Sequence, residues 1–212
     1  GIKDKSNELG YEIHIYSSNN LKKNELENLA SAISLKIDGL IISPINSSTA
    51  STLLEIAKMN KIPTIVADIG SDSQDYLSFI SSDNKKGAYE LGKILSKYMK
   101  SLSWNKEGTV GIIAIPQKRL NGKDRTIGFI QALEEDNIKV SGMYQQVDFS
   151  YEETYNYSKK LIDENKNLRA IWLQGSDKYK GALDAIKKAN KQNEIALICF
   201  DAEPEFLEMI QN

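Results

Sequence analysis

The chain of 212 residues is poor in cysteine, histidine, proline and tryptophan, with one, one, four and two of them respectively. A single cysteine, Cys199, excludes an intramolecular disulfide framework and any multi-cysteine metal site. The lone His14 excludes zinc sites that need several imidazoles. The sequence also lacks the roughly 18 consecutive apolar residues of a membrane-spanning helix. We therefore predict no metal site, no cofactor and a fold held by its hydrophobic core.

The charge of the chain is nearly balanced. Lysine and arginine total 27 against 29 acidic residues, which gives a net charge of -2 and an isoelectric point near 5.6. Proteins that bind nucleic acid or an anionic membrane surface carry a basic patch or arm, and this composition provides neither. We therefore predict no nucleic-acid partner.

Short apolar, β-branched runs alternate along the chain with longer stretches of helical periodicity. The predicted strands cover residues 12–16, 39–42, 64–67, 110–114, 170–173 and 195–200, and the predicted helices cover 49–60, 84–99, 124–136, 151–164, 178–190 and 204–211. This alternation is typical of α/β proteins built from βα units around parallel sheets.

The pattern occurs twice, with three predicted strands before residue 82 and about four after it. A content of 41% apolar residues over this length is enough for one large domain or two small ones. No Gly/Ser-rich or Pro-rich linker separates the two halves. We therefore predict two Rossmann-like lobes, residues 1–82 and 83–212, joined by strands that cross directly between them and act as a hinge.

Polar residues follow the predicted strands directly, and Asp68 and Asp201 end strands at analogous places in the two halves. In open parallel sheets, ligands bind beyond the carboxyl ends of the strands. Asp, Ser and Asn at such places are also ordinary helix N-caps, worth about 1 kcal/mol each. For Asp68 the loop that follows favours ligand binding, whereas Asp201 could cap the next helix, and the sequence leaves both roles open.

Three further residues are candidates for ligand binding. Arg125 is one of three arginines in a lysine-rich chain, and its planar fork of five donors suits hydroxyl or carboxylate oxygens. Its alternative role is a surface cation or an ion pair with Asp124. One residue of the pair Asp83 and Asn84 is expected to cap a helix and the other to face a cleft. Phe149 either stacks on a ligand ring or anchors its loop. Together these residue types suit a neutral sugar.

Six segments in combination resemble the type I periplasmic binding proteins of the ribose and xylose group. They are 39–44 (GLIISP), 61–68 (KIPTIVAD), 81–84 (SSDN), 124–129 (DRTIGF), 181–183 (GAL) and 199–201 (CFD). The resemblance covers nearly the whole chain and implies two Rossmann-like lobes that close around a monosaccharide. The effector-binding domains of LacI-family transcriptional repressors share this fold, and they are the alternative identity.

The resemblance also implies which residues bind the ligand. The residues of the family that bind sugar hydroxyls correspond to Asp68, Asn84, Arg125 and Asp201 in this chain. The aromatic residue that packs on the sugar in the family corresponds to Phe149.

The chain departs from the family at two ligand positions. Where the family has Asn-Asp before its Gly-Ala-Leu helix, this chain has Gln174-Gly175-Ser176-Asp177, so the asparagine ligand is either lost or replaced by Gln174 or Ser176. Ile69 stands where relatives with an Asp-Arg pair have their arginine. A strong hydrogen-bond donor is therefore lost.

Partners and location also follow from the resemblance. It implies an extracytoplasmic protein that presents a pentose such as xylose or ribose, or a hexose, to an ABC permease or to a sensor histidine kinase. In family members of bacteria without an outer membrane, a lipid on an upstream cysteine tethers the protein to the cell surface. We further expect the fold to be incomplete at both ends, with the first strand and the return crossover of the first lobe outside this sequence.

The sequence offers little for an enzyme. It contains no Gly-x-Gly-x-x-Gly, no Gly-x-x-x-x-Gly-Lys-Ser/Thr and no Gly-x-Ser-x-Gly motif. His14 and Cys199 each lie inside an apolar predicted strand and are interpreted as structural residues. No catalytic residue is therefore predicted.

Overall fold

A computed structural model describes residues 1–176 and 178–211. The chain forms two compact units, Gly1–Ser81 and Ser82–Asn212, here called the first and the second unit. Each contains a parallel β-sheet with helices packed on it. Among the described residues, no helix combines the length and the apolar character needed to cross a membrane.

The first unit is built on a short parallel sheet. Its described elements are α1 (Ile2–Glu8), α2 (Lys22–Ser34), β1 (Leu40–Ile42), α3 (Ser47–Met59), β2 (Thr64–Ala67) and β3 (Ser78–Ile80), with strand order β1-β2-β3. Asn46 caps α3, because its side-chain oxygen accepts the N–H groups of Ser48 at 3.1 Å and Thr49 at 2.9 Å. Helix α3 contributes buried Leu53 and Leu54 to the core of this unit.

The predicted strand at residues 12–16 is wrong. These residues form no strand, and Ile15, Tyr16 and His14 are exposed. A strand is stable only when its backbone pairs and its apolar face packs, and the described chain offers this segment neither. The third strand of the sheet is instead β3, which pairs with β2 and which the prediction missed because its sequence SFI contains a single β-branched residue.

The second unit is a parallel β-sheet with helices packed on both of its faces. Its described elements are α4 (Asn84–Ser101), a 3₁₀-helix (Trp104–Lys106), β4 (Thr109–Ala114), α5 (Leu120–Glu135), β5 (Lys139–Gln145), α6 (Tyr151–Glu164), β6 (Leu168–Leu173), α7 (Tyr179–Lys188), β7 (Ala196–Cys199) and α8 (Pro204–Gln211). The strand order is β5-β4-β6-β7, with every described pair parallel. The predicted α/β class with parallel sheets is therefore confirmed.

Two details of the second unit differ from the prediction. The fourth strand expected in this half is β5, for which no range was predicted because its sequence KVSGMYQ has few β-branched residues. Helix α5 begins at Leu120 instead of residue 124, so Arg125 lies in the second turn of this helix and does not open it.

The core of the second unit lies on both faces of its sheet. Helices α4 and α5 cover one face, where the rings of Phe129 and Trp172 are stacked with their centroids 3.8 Å apart. Helices α6 and α7 cover the other face, around Leu161 and Ile186. In β7, burial raises the pKa of the Cys199 thiol to about 12, so this thiol stays protonated and unreactive at neutral pH.

Helices α4 and α5 approach each other closely because glycines lie at their contact. A β-carbon at Gly128 would overlap the backbone carbonyl of Lys85, and one at Gly92 would lie 2.7 Å from the β-carbon of Ala132. The small residues therefore set the spacing of the two helices, and with it the distance between Asn84 and Arg125.

We expect Gly128→Ala to destabilise the protein by about 1–3 kcal/mol, because the added methyl group forces the two helices apart. Urea unfolding measures the change. The matched control is Gly39→Ala, where the β-carbon would lie 3.8 Å from the carbonyl oxygen of Pro63, an ordinary contact. Equal stability of the two variants would contradict the tight α4–α5 contact.

A charged cluster joins the same two helices at their other end. Asp136, the C-cap of α5, accepts hydrogen bonds from Lys93 at 2.8 Å and Lys100 at 2.5 Å, both on α4. These two bonds, from Lys100 and Lys93, lower the pKa of Asp136 from 3.8 to about 2. The Asp136 side chain is only 13% exposed, so solvent screens these ion pairs less than it screens surface pairs.

The lowered pKa predicts an acid-sensitive contribution to stability. A group whose pKa is lower in the folded than in the unfolded chain stabilises the fold above its unfolded pKa, and this stabilisation is lost as the pH falls through the folded pKa. We expect Asp136→Asn to cost about 1–2 kcal/mol at pH 6 and progressively less between pH 4 and pH 2. Urea midpoints measured across this range test it. Asp163→Asn, which breaks the exposed pair with Lys159, is the control, and a constant difference between wild type and Asp136→Asn would contradict the prediction.

Candidate functional site

The candidate site of the second unit lies where its strands end. The loops after β4, β5, β6 and β7 meet the start of α4 at the carboxyl edge of the sheet, as expected for parallel strands. Six of the predicted ligand residues belong to this edge: Asn84, Arg125, Phe149, Gln174, Ser176 and Asp201.

Arg125 connects three of the other predicted residues. Its Nε donates to Oδ1 of Asn84 at 2.8 Å, and its Nη1 donates to the backbone carbonyl of Gln174. The same Nη1 lies 3.4 Å from Oδ2 of Asp201. The predicted alternative, an ion pair with Asp124, is thus replaced by one with Asp201.

A ring that the sequence analysis missed completes the surroundings of Arg125. The guanidinium carbon lies 3.8 Å from the centroid of the Phe200 ring, a cation–π contact. Phe200 directly precedes Asp201 at the end of β7, so adjacent residues supply an aromatic face and a carboxylate. The CFD segment at 199–201 is the signal that could have identified Phe200.

Of the pair Asp83 and Asn84, Asp83 is the residue that caps the helix. Oδ1 of Asp83 accepts the backbone N–H of Lys86 at 3.0 Å, so Asp83 is the N-cap of α4. Asn84 is buried and its side-chain N–H₂ donates to the carbonyl of Ser82 at 3.0 Å, which orients its oxygen toward Arg125.

Gln174 is fully buried, and its side chain points into the second unit. Its Oε1 accepts the backbone N–H of Ile115 at 3.1 Å, and its Nε2 donates to Oγ1 of Thr126 at 2.5 Å. The side chain of Gln174 therefore links the end of β4 to α5. The backbone carbonyl of the same residue accepts the hydrogen bond from Arg125. Its amide does not face solvent, so the structure gives Gln174 a supporting place instead of the exposed one expected of a ligand.

Ser176 follows the interior strand β6, and Phe149 follows the edge strand β5. Ser176 is nearly buried and its Oγ donates to Oε1 of Glu203 at 2.6 Å, a partner that the sequence did not indicate. Phe149 is half-buried in the loop after β5, and the guanidinium of Arg119 lies 5.3 Å from its ring centroid.

Asp68 belongs to the first unit. It follows β2, has a left-handed backbone (φ 66°), and donates its N–H to the carbonyl of Ile80 at 2.9 Å. Its side chain is exposed at the carboxyl edge of that sheet, whereas the neighbouring Ile69 is 6% exposed and packs inside the unit. Ile69 therefore offers neither a donor nor an accessible surface.

Parallel sheets with carboxylate, amide, guanidinium and aromatic groups at their carboxyl edges define an α/β solute-binding class. The chain belongs to the periplasmic binding protein domain family, whose model matches residues 1–212. The resemblance identified in the sequence is thus confirmed.

The chain is similar in sequence to ribose-binding proteins and to a transcriptional repressor. The ribose import binding protein RbsB of Haemophilus influenzae is 27% identical over 214 residues, which cover 100% of this chain and 70% of RbsB. The transcriptional repressor PurR of Shigella sonnei is 25% identical over 186 residues, which cover 86% of this chain and 52% of PurR.

Solved structures confirm the fold. A carbohydrate-transporter solute-binding protein of Agrobacterium radiobacter in complex with D-arabinose superposes with a TM-score of 0.87 at 21% identity, over 99% of this chain and 72% of that one. The XylFII–LytSN complex gives a TM-score of 0.84 at 22% identity, over 99% of this chain and 76% of the matched chain.

We expect Gln174→Leu to cost about 1–3 kcal/mol, because the N–H of Ile115 is left buried without its acceptor. Urea unfolding measures the loss, and Gln192→Leu, at an exposed residue, is the control. A stability of Gln174→Leu equal to that of the control would contradict the linking role of this side chain.

Proposed function

We propose that this chain is an extracytoplasmic, non-catalytic sugar-binding protein that closes around a monosaccharide. The ligand is a pentose such as xylose or ribose, or a hexose. The observation that carries the proposal is the guanidinium of Arg125, held between Asn84, the carbonyl of Gln174 and the carboxylate of Asp201.

This arrangement matches the chemistry of a sugar hydroxyl, which donates one hydrogen bond and accepts others. Arg125 supplies donors only, and Asp201 supplies acceptors only. The Asp201 side chain is 50% exposed, so its oxygens are accessible from solvent. A hydroxyl group could therefore accept from the guanidinium and donate to the carboxylate. Phe149 supplies a ring face for the C–H side of a pyranose, whereas the Phe200 ring is occupied by the guanidinium of Arg125.

Closure would convert binding into a signal. In this proposal Asp68 of the first unit and Arg125 with Asp201 of the second bind the same sugar. A ligand with contacts to both units favours the closed state by its differential affinity, and the closed state is the form that a partner recognises.

The proposed partner is an ABC permease or a sensor histidine kinase. The permease is supported by the similarity to RbsB, a ribose import binding protein, and to the Agrobacterium protein, the solute-binding protein of a carbohydrate transporter. The XylFII–LytSN complex is a case in which a protein of this fold binds a second protein. We propose a periplasmic or cell-surface location, and in a Gram-positive bacterium attachment by a lipid on an upstream cysteine.

The second candidate is the effector-binding domain of a LacI-family repressor. The similarity to PurR favours it, but that match covers less of the chain than the match to RbsB and is less identical. Identifying the ligand alone does not distinguish these two candidate functions, so the partner must be identified as well. A chain that binds sugar and also pulls down a permease or kinase ectodomain supports the first.

The first experiment is a thermal-shift and calorimetric screen with D-xylose, D-ribose, D-glucose, D-galactose and L-arabinose. A sugar at 100 times its dissociation constant stabilises the fold by about 2.7 kcal/mol, which is visible as a raised melting temperature. We expect one of these sugars to produce the shift. Absence of a shift with all of them at millimolar concentration would overturn sugar binding.

We expect Arg125→Lys to weaken binding of that sugar by about 10- to 100-fold, because lysine keeps the charge but loses the planar fork. Titration calorimetry measures the affinity. The control is Lys123→Ala, which removes an exposed cation from the same helix. Unchanged affinity of Arg125→Lys would place the sugar elsewhere.

A further inference from the structure

Glu153 makes an unusual set of hydrogen bonds in the first turn of α6. Its Oε1 accepts the backbone N–H of Val147 at 2.7 Å. Its Oε2 accepts the N–H groups of Asp148 at 3.1 Å and Phe149 at 2.9 Å. One carboxylate therefore binds three consecutive backbone donors of the loop that carries Phe149.

The sequence encodes this arrangement as a capping box, Ser150-Tyr-Glu-Glu153. Oγ of Ser150 accepts the N–H of Glu153 at 3.1 Å and caps α6. In an ordinary capping box the glutamate returns to the N-cap residue. Here it reaches the three residues before the N-cap, so its effect extends from the helix to the loop.

The loop needs such a constraint because of Phe149. This residue has φ 54°, in the left-handed region, which costs a residue with a side chain about 1–2 kcal/mol. Such a conformation persists only where the surroundings enforce it. Hydrogen bonds to an ionised carboxylate are stronger than neutral ones, so the Glu153 contacts supply that enforcement.

We propose that Glu153 is a positioning residue for ligand binding. It holds loop 147–149 in the conformation that places the Phe149 ring at the carboxyl edge of the sheet. The proposal rests on the proposed function, because the ligand that meets Phe149 is the sugar. Glu153 itself does not touch the ligand. Its role is to remove the entropy loss that a mobile loop would suffer on binding.

The test combines amide hydrogen exchange with sugar affinity on the whole chain, using the sugar found in the screen. Glu153→Gln removes the charge and one acceptor oxygen, and its N–H₂ group would face a backbone N–H. We expect the amides of Val147, Asp148 and Phe149 to exchange at least tenfold faster. We also expect the affinity to fall about tenfold. The neighbouring Glu152→Gln, at an exposed residue of the same turn, should change neither.

A double-mutant cycle separates positioning from simple helix capping. If Glu153 acts through the ring, Glu153→Gln has no further effect on affinity in a Phe149→Leu background.

Faster exchange with unchanged affinity, or slow exchange retained in Glu153→Gln, overturns the proposal. Absence of binding by the wild-type chain overturns the proposed function and the ligand role of Glu153 together. Binding that is sensitive to Arg125→Lys but not to Glu153→Gln overturns the role of Glu153 alone.

Discussion

The buried guanidinium of Arg125 is the group around which the second unit arranges its carboxyl edge. A buried cation is strongly unfavourable unless hydrogen bonds and counter-charge replace its water. Asn84 at the start of α4, the carbonyl of Gln174 after β6, and Asp201 after β7 supply these groups, and the Phe200 ring covers one face of the guanidinium. Separate elements are thereby fixed to one point, and any ligand that binds there meets a surface already formed.

This arrangement depends on packing that lies some distance from the polar groups. Asn84 and Arg125 are on different helices, and they meet only because Gly128 lets α5 lie directly against the Lys85 backbone. The stacked rings of Phe129 and Trp172 hold the same helix on the sheet. A residue without a side chain and an apolar stack therefore determine the geometry of a charged site.

The sequence predicts what is local and misses what is tertiary. Asp201 could be singled out because it directly follows an apolar run, and Arg125 because arginine is rare in this lysine-rich chain. The segment 12–16 has the alternation of a strand, but whether it pairs depends on neighbours that its own residues do not specify. The inward direction of the Gln174 amide likewise depends on the N–H of Ile115, which is 59 positions away. The capping box at Ser150 and Glu153 is local and visible in the sequence, but its three loop contacts are not.

Asp136 and Asp201 show how the environment assigns different roles to the same side chain. Asp136 is 13% exposed and is bonded by two lysines, so its oxygens are occupied and its carboxylate joins α4 to α5. Asp201 is 50% exposed and meets the Arg125 guanidinium at the longer distance of 3.4 Å. The outer side of this half-exposed carboxylate is open to solvent, so solvent screens its ion pair more than it screens the two pairs of Asp136. In the proposed function, a sugar hydroxyl would therefore replace water at Asp201 at small cost, whereas at Asp136 it would have to break two ion pairs.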